Sequence, residues 1–361
     1  MKLLSSLGES YSSFKLSNHY RKHMSGYNRE MDRRGLSKLT SQEKKDAIAY
    51  WKKFNLKANT DWHRCFSWFN GNFDPRYVSG EIFYTLIERK LNDFRYLHAY
   101  SNKNHYDIFF RDLRRPKTII KNMRGCFFDS DLEPINKDMA KKILLHHDGK
   151  MVIKPSDSYG GKGFKILYVE NGDLKWKGEK IDIKKLFDSY GNDFIIQKYI
   201  KQHESFSALH PSSLNTIRIM TIRLDGKIHH LSSVMRMGRD DSEMDNVTQG
   251  GISIGVDTNG NLGRWADYNI IERYEKHPTT KVKFEGYRIH GSEKARKLAL
   301  ELHKRSPYFD ILSWDTAIDE KGEAVMIEMN IKGQELNFHQ AHNGPIFGHL
   351  TDKVIEEMKS R

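Results

Sequence analysis

Residues 311–330 read ILSWDTAIDEKGEAVMIEMN, two apolar runs separated by Asp319-Glu320-Lys321-Gly322, which is a hairpin signal. A hairpin constrains the chain strongly, because it fixes which residues face one another. With the turn centred on Lys321-Gly322, Asp315 stands opposite Glu328, and Asn330, two residues on, points from the same face. Carboxylates paired across strands repel unless a cation lies between them or one is protonated. Magnesium takes such oxygens and leaves its other positions to water and phosphate. Asp315, Glu328 and Asn330 are therefore candidate metal ligands. The plain alternative is a solvent-facing polar hairpin end. It is weakened by the apolar neighbours Ile311, Trp314, Ile327 and Met329, and by Ala317, which leaves space beside Asp315. A one-residue bulge in the turn would undo the pairing.

A second stretch, VIKPSDSYGGKGFKIL from Val152 to Leu167, has a strand entering a glycine loop and a strand leaving it. Gly160, Gly161 and Gly163 let the backbone approach an anion closely, and Lys154 and Lys162 add charge. A mobile glycine hairpin with surface lysines would read the same way. It is not a Walker A loop, since Gly163 follows Lys162 where Ser or Thr is required, and the GxGxxG spacing is absent. In HPSSLNTIRIMTIRL, Arg218 interrupts an apolar strand. Either its head reaches solvent from an edge strand, or it is aimed at a phosphate or carboxylate on the open face of the sheet.

The 361 residues suffice for two or three domains. Two cysteines, Cys65 and Cys126, suggest neither a disulfide framework nor a CxxC metal site, and a reducing cytoplasm fits. No run approaches the length of a signal-peptide core or a transmembrane helix. Net charge is +13, and residues 1–60 hold 13 Lys and Arg against 5 Asp and Glu. This basic end suits a solvated helical surface or an acidic partner. Nucleic acid is not the expected partner, because Ala47, Tyr50, Trp51 and Phe54 have the spacing of a core-facing helical stripe.

Three regions follow from pattern. Residues 1–100 read as helical, with a Thr40–Glu43 capping box and an apolar face of Ile82, Phe83, Leu86 and Ile87. Residues 101–198 read as a small α+β unit, with a helix after Lys103. In residues 199–361, strands joined by short turns predict an antiparallel sheet, with one helix carrying Ala295, Leu298, Ala299 and Leu302. The pair His339 and His342 reads as loop, not a zinc site. His203, His210 and His339 read first as structural or surface residues and only second as general bases.

Taken in order, these parts resemble the ATP-grasp superfamily. More closely, NKNHYDIFF, VIKPSDSYGGKGFKIL, IIQKYIKQHESFSALHPSSLNTIRI, WDTAIDEKGEAVMIEMN and NFHQAHNGPIFG resemble the sugar-transfer-associated ATP-grasp family of bacterial polysaccharide gene clusters, over about residues 80 to 350. The resemblance implies an α+β ATP-grasp fold: a helical basic N-terminal region (1–100), a small nucleotide-lid subdomain (101–198) and a larger antiparallel-sheet subdomain (199–361). It implies ATP and Mg2+. Lys103 and Lys154 would hold the α- or β-phosphate, and the loop with Ser156, Gly160, Gly161, Lys162 and Gly163 would close over the phosphates. Gln197, Lys198, Tyr199 and Ile200 would form the hinge that reads adenine. Arg218, with Lys154 catalytic, would sit near the γ-phosphate, and Asp315, Glu328 and Asn330 would hold magnesium. After Asn330 the chain has Ile331-Lys332-Gly333 where many such ligases have a Pro-Gly turn, which puts an oxyanion role for Gly333 in doubt.

The implied activity is that of a cytoplasmic carboxylate–amine ligase working through an acyl phosphate. Its small-molecule substrates would be an amino acid and a sugar or uronic acid of a surface polysaccharide, with peripheral contact to membrane-side machinery. The alternatives are a small-molecule or sugar kinase on the same fold, and a polyanion-binding protein with an inactive nucleotide site.

Overall fold

The computed structural model describes residues 2–158, 160–246 and 250–361, with side chains from Phe14 onward. Two antiparallel sheets dominate it. The smaller body is built on the strand order β3-β2-β1-β8-β4-β5-β6-β7. These strands are β1 Thr118–Met123, β2 Cys126–Phe128, β3 Pro134–Ile135, β4 Met151–Pro155, β5 Lys165–Glu170, β6 Asp173–Trp176, β7 Glu179–Lys180 and β8 Asp193–Lys198. Helices Lys137–Leu145 and Ile183–Tyr190 start at side-chain caps, Asn136 and Asp182. They bury Ala140, Leu144, Leu186 and Phe187 against Ile120, Ile153 and Phe194.

The larger sheet has the order β13-β12-β11-β10-β9-β14-β15. Its strands are β9 Thr216–Leu224, β10 Lys227–Met237, β11 Ile252–Val256, β12 Leu262–Asp267, β13 Arg273–Tyr274, β14 Ile311–Ile318 and β15 Ala324–Asn330. Every neighbouring pair is antiparallel, as expected. Both faces are covered. Along β9, Ile217 and Ile219 face a core with Trp314, Met329 and the expected helix Ser292–Lys304. Met220, Ile222 and Leu224 face another core built from N- and C-terminal helices. The latter face starts with Thr216 and Arg218, so the period-2 alternation that buries the apolar end also lines up polar side chains at the other end.

The N-terminal capping box is present, and Ala47 and Trp51 are fully buried, so the aromatic stripe is core. The run Gly80–Leu91 is helical but carries a π turn over Phe83–Ile87. After Lys103 there is only a 3-10 turn and a four-residue helix, Tyr106–Phe109. Tyr106 and Phe110 pack into the core of the larger sheet. His339 and His342 lie on the helix Leu336–Asn343, not in a loop. That helix buries polar residues, His339 on Ser232 and Gln340 on Val78, so it shows no apolar periodicity. Among the described residues no helix is long and apolar enough to cross a membrane.

Candidate active site

A cleft runs between the two sheets. From the smaller body it receives Lys154 at the end of β4, the glycine loop and the end of β8. From the larger sheet it receives Asp315, Glu328 and Arg236. Lys103, on its 3-10 turn, donates its amide to Ser156 O and its ammonium to Ser158 O at 2.8 Å. The same ammonium lies 2.9 Å from Glu328 Oε1. Lys154 is deep in the cleft. Burial, reinforced by the Lys103 charge and opposed by Glu328, brings its pKa down to about 8.

Gly160, Gly161 and Gly163 all have positive φ, between 70° and 75°, a region open to glycine. A Cβ at Gly161 would fall 2.4 Å from Met244 Sδ, so the loop and the segment Glu243–Asn246 close on each other across the cleft mouth. At the end of β8, the amides of Lys198 and Tyr199 are engaged by Lys117 O and Lys150 O. Ile200 is the next residue on the cleft wall.

Asp315 does face Glu328, although the turn is not the expected one. Ile318 pairs with Ala324, and Asp319 N–H donates to Glu323 O at 2.9 Å, which centres the turn on Lys321. That register would set Asp315 against Ile327. One extra residue, a β-bulge at Ile327, restores the Asp315–Glu328 and Ser313–Asn330 pairs. Ile327 and Glu328 both line the cleft.

The repulsion between the two acids is relieved by side-chain cations. Lys103 holds Glu328. Asp315 accepts from Arg218 Nε and Nη2 at 2.7 and 2.8 Å and from Arg236 Nη2 at 2.8 Å. Burial alone would raise the Asp315 pKa, but Arg218 and Arg236 outweigh it and hold the carboxyl down at about 2. Arg218 is on a central strand and 5% exposed, which excludes the edge-strand reading. Asp245, bonded to Thr216, and Glu335 complete the cluster.

Lys103, Lys154, Gly161, Lys162, Gln197, Lys198, Tyr199, Ile200, Asp315 and Glu328 share the cleft wall. Ser156, Gly160, Gly163, Arg218 and Asn330 stand behind it and do not line it. Ser156 is fully buried, with a hydroxyl that has no hydrogen-bond partner. Gly333 donates its amide to the buried Glu88 at 2.9 Å, which engages the doubtful oxyanion donor. His203 stacks on His290, while His210 and His339 are fully buried. Arg236 and the Glu243–Asn246 segment escaped sequence reasoning. Arg236 in VMRMG carries the same signal as Arg218 in TIRIM, a guanidinium inside an apolar strand.

The family model for sugar-transfer-associated ATP-grasp proteins matches residues 83–356. No curated protein matches the sequence. Among solved structures, the biotin carboxylase domain of 2-oxoglutarate carboxylase from Hydrogenobacter thermophilus, crystallised with MgADP and bicarbonate, is 13% identical with a TM-score of 0.43, covering 75% of this chain and 48% of that one. Biotin carboxylase from Campylobacter jejuni is 15% identical with a TM-score of 0.44, covering 75% and 49%. D-alanine–D-alanine ligase from Bacillus anthracis is 15% identical with a TM-score of 0.37, covering 72% and 69%. The chain spans about half the length of the two biotin carboxylase chains. With the family match extending over most of its length, this chain belongs to the sugar-transfer-associated ATP-grasp family.

Proposed function

We propose that the protein is an ATP-dependent carboxylate–amine ligase. The observation that carries this reading is the convergence of Lys103 and Lys154 from one wall and Asp315, Glu328 and Arg236 from the other on a single cleft. Cations on one side can hold a polyphosphate, and acids on the other can hold its metal. The donor set suits magnesium: two carboxylates and an amide on adjacent strands, all oxygen ligands. Among the described residues no group of three His, Cys, Asp or Glu is set to hold a metal, so water and phosphate oxygens would complete the shell. When bound there, magnesium neutralises phosphate charge.

Phosphoryl transfer asks the protein mainly for position and charge. Lys103 and Lys154 would orient the nucleotide phosphates, and Arg236, with Arg218 behind it holding Asp315, would supply positive charge near the transferring group. The glycine loop, shut against Met244, would exclude water from an acyl phosphate. In the reaction, a carboxylate oxygen takes the γ-phosphoryl group and ADP leaves. An amine then attacks the acyl carbon, and phosphate leaves. The family's association with sugar transfer supports an amino acid and a sugar or uronic acid of a bacterial surface polysaccharide as the joined partners, in the cytoplasm.

The test is incubation with ATP, Mg2+ and a panel of amino acids and uronic-acid sugars, with hydroxylamine as trap. Hydroxamate formed in step with ADP supports the ligase. ADP with a phosphorylated hydroxyl and no hydroxamate makes the protein a kinase, and no ADP from any pair makes the nucleotide site inactive.

A further inference from the structure

Arg218 and Arg236 are held between two carboxylates. Asp315 takes Nη2 of both on the cleft side. On the other side, Glu335 Oε2 contacts Nη1 of Arg218 and lies 3.8 Å from Nη1 of Arg236. The two acids are not equivalent. The Asp315 side chain is 3% exposed and fully hydrogen-bonded, whereas that of Glu335 is 26% exposed. Glu335 Oε2 forms no well-directed hydrogen bond despite its contacts. Its backbone, at φ 57° and ψ 44°, occupies the left-handed region that disfavours any residue with a Cβ. The residues on either side are anchored, Leu336 by Tyr84 and Gln334 by Ser313 and Glu88. Between these anchors the Glu335 side chain meets the two arginines and is partly open to solvent.

Planar guanidinium forks select carboxylates. Exchanging one carboxylate for another keeps the charge of this buried cluster unchanged. We infer that Glu335 is a resident stand-in for the carboxylate of the acyl substrate, occupying the outer donors of Arg218 and Arg236 until that carboxylate displaces it. The pair of arginines is then the acyl subsite, and its ligand is a small carboxylate such as an amino or uronic acid. The word substrate rests on the ligase reading, but the exchange itself does not.

The experiment is calorimetric titration of glucuronate, and separately of inorganic phosphate, into the full-length wild type and Glu335→Gln. Glucuronate is expected to bind the variant at least about tenfold more tightly than the wild type. Adding Arg236→Lys, which removes the fork, should abolish that gain. MgADP affinity should be unchanged in Glu335→Gln. A folded variant with no gain, a gain that survives Arg236→Lys, or a gain for phosphate alone each overturns the assignment. If Glu335→Gln does not fold, Glu335→Asp, one methylene too short to reach both Nη1 groups, is read the same way. Failure of the wild type to bind MgADP would count against the ligase and leave the glucuronate comparison intact.

Discussion

Lys103 Nζ and Glu328 Oε1 are 2.9 Å apart, an ion pair that spans the cleft where a triphosphate would lie. A phosphate entering the cleft must take Lys103 from Glu328, and a metal must take Glu328 from Lys103. Glu328→Gln separates these effects. It should lower ATP turnover by roughly 10²- to 10³-fold, the usual cost of losing one preorganised charged group. It should also tighten metal-free ADP binding several-fold, because Lys103 is released and a repelling charge is gone. Steady-state kinetics and calorimetry with and without Mg2+ check both halves, and unchanged turnover would remove Glu328 from the reaction centre.

Lys154 predicts a pH dependence of nucleotide affinity. Its pKa in the free protein is brought down to about 8, by burial first and then by the Lys103 charge. Below that value the ammonium is present to meet phosphate, and above it binding must first supply a proton. ADP affinity should be flat up to about pH 8 and then weaken, by at most about tenfold per pH unit. Lys154→Met should abolish this dependence and most of the affinity. Because a buried charge is removed, the same variant should melt higher than the wild type at pH 7.

Gly161 tests the flap. Its φ is 72°, and a Cβ would run into Met244 Sδ and Asn246. Gly161→Ala should therefore raise KM for ATP about tenfold or more, at a cost in stability of about 1 kcal/mol from the left-handed backbone. Equal KM values for the two proteins would show that the loop does not close over nucleotide.

Glu88 predicts a stability profile. Burial raises its pKa to about 8, despite opposing hydrogen bonds from Gly333 and Gln334. The unfolded chain releases this proton near the ordinary carboxyl value of about 4.3, whereas the folded chain keeps it to about pH 8. The folded state thus binds more protons throughout this window, and stability falls as pH rises through it, by up to about 1.4 kcal/mol per unit. Glu88→Gln should flatten the profile and be the more stable protein at pH 8. Parallel denaturation curves for the two proteins from pH 5 to 8 would contradict this.

Most of the cleft was legible because its residues violate their surroundings. Lys154, Arg218, Asp315 and Glu328 are charges inside apolar runs, which is costly without a partner and so points to one. The partners themselves were less visible. Glu335 follows a polar turn and Asp245 lies in a polar loop, where an acid is unremarkable. Helices were harder to find than strands. Lys137–Leu145 and Ile183–Tyr190 are only nine and eight residues long, too short to sustain a helical period, and Leu336–Asn343 buries histidine and glutamine. The facing of Asp315 and Glu328 came out as expected because two departures cancel: the turn is centred half a residue earlier, and the bulge at Ile327 compensates.

That bulge has a consequence for how the chain tolerates change. Side chains of a strand alternate between its faces, so a strand that kept Ile327 but ran straight through it would set Ile327 against Asp315 and turn Glu328 to the opposite face. Deleting Ile327 does the reverse of harm to this register: the hairpin closes evenly, and Glu328 still meets Asp315. The surplus residue is thus dispensable for parity, whereas a second one inserted beside it would silence the chemistry with every acid and base retained.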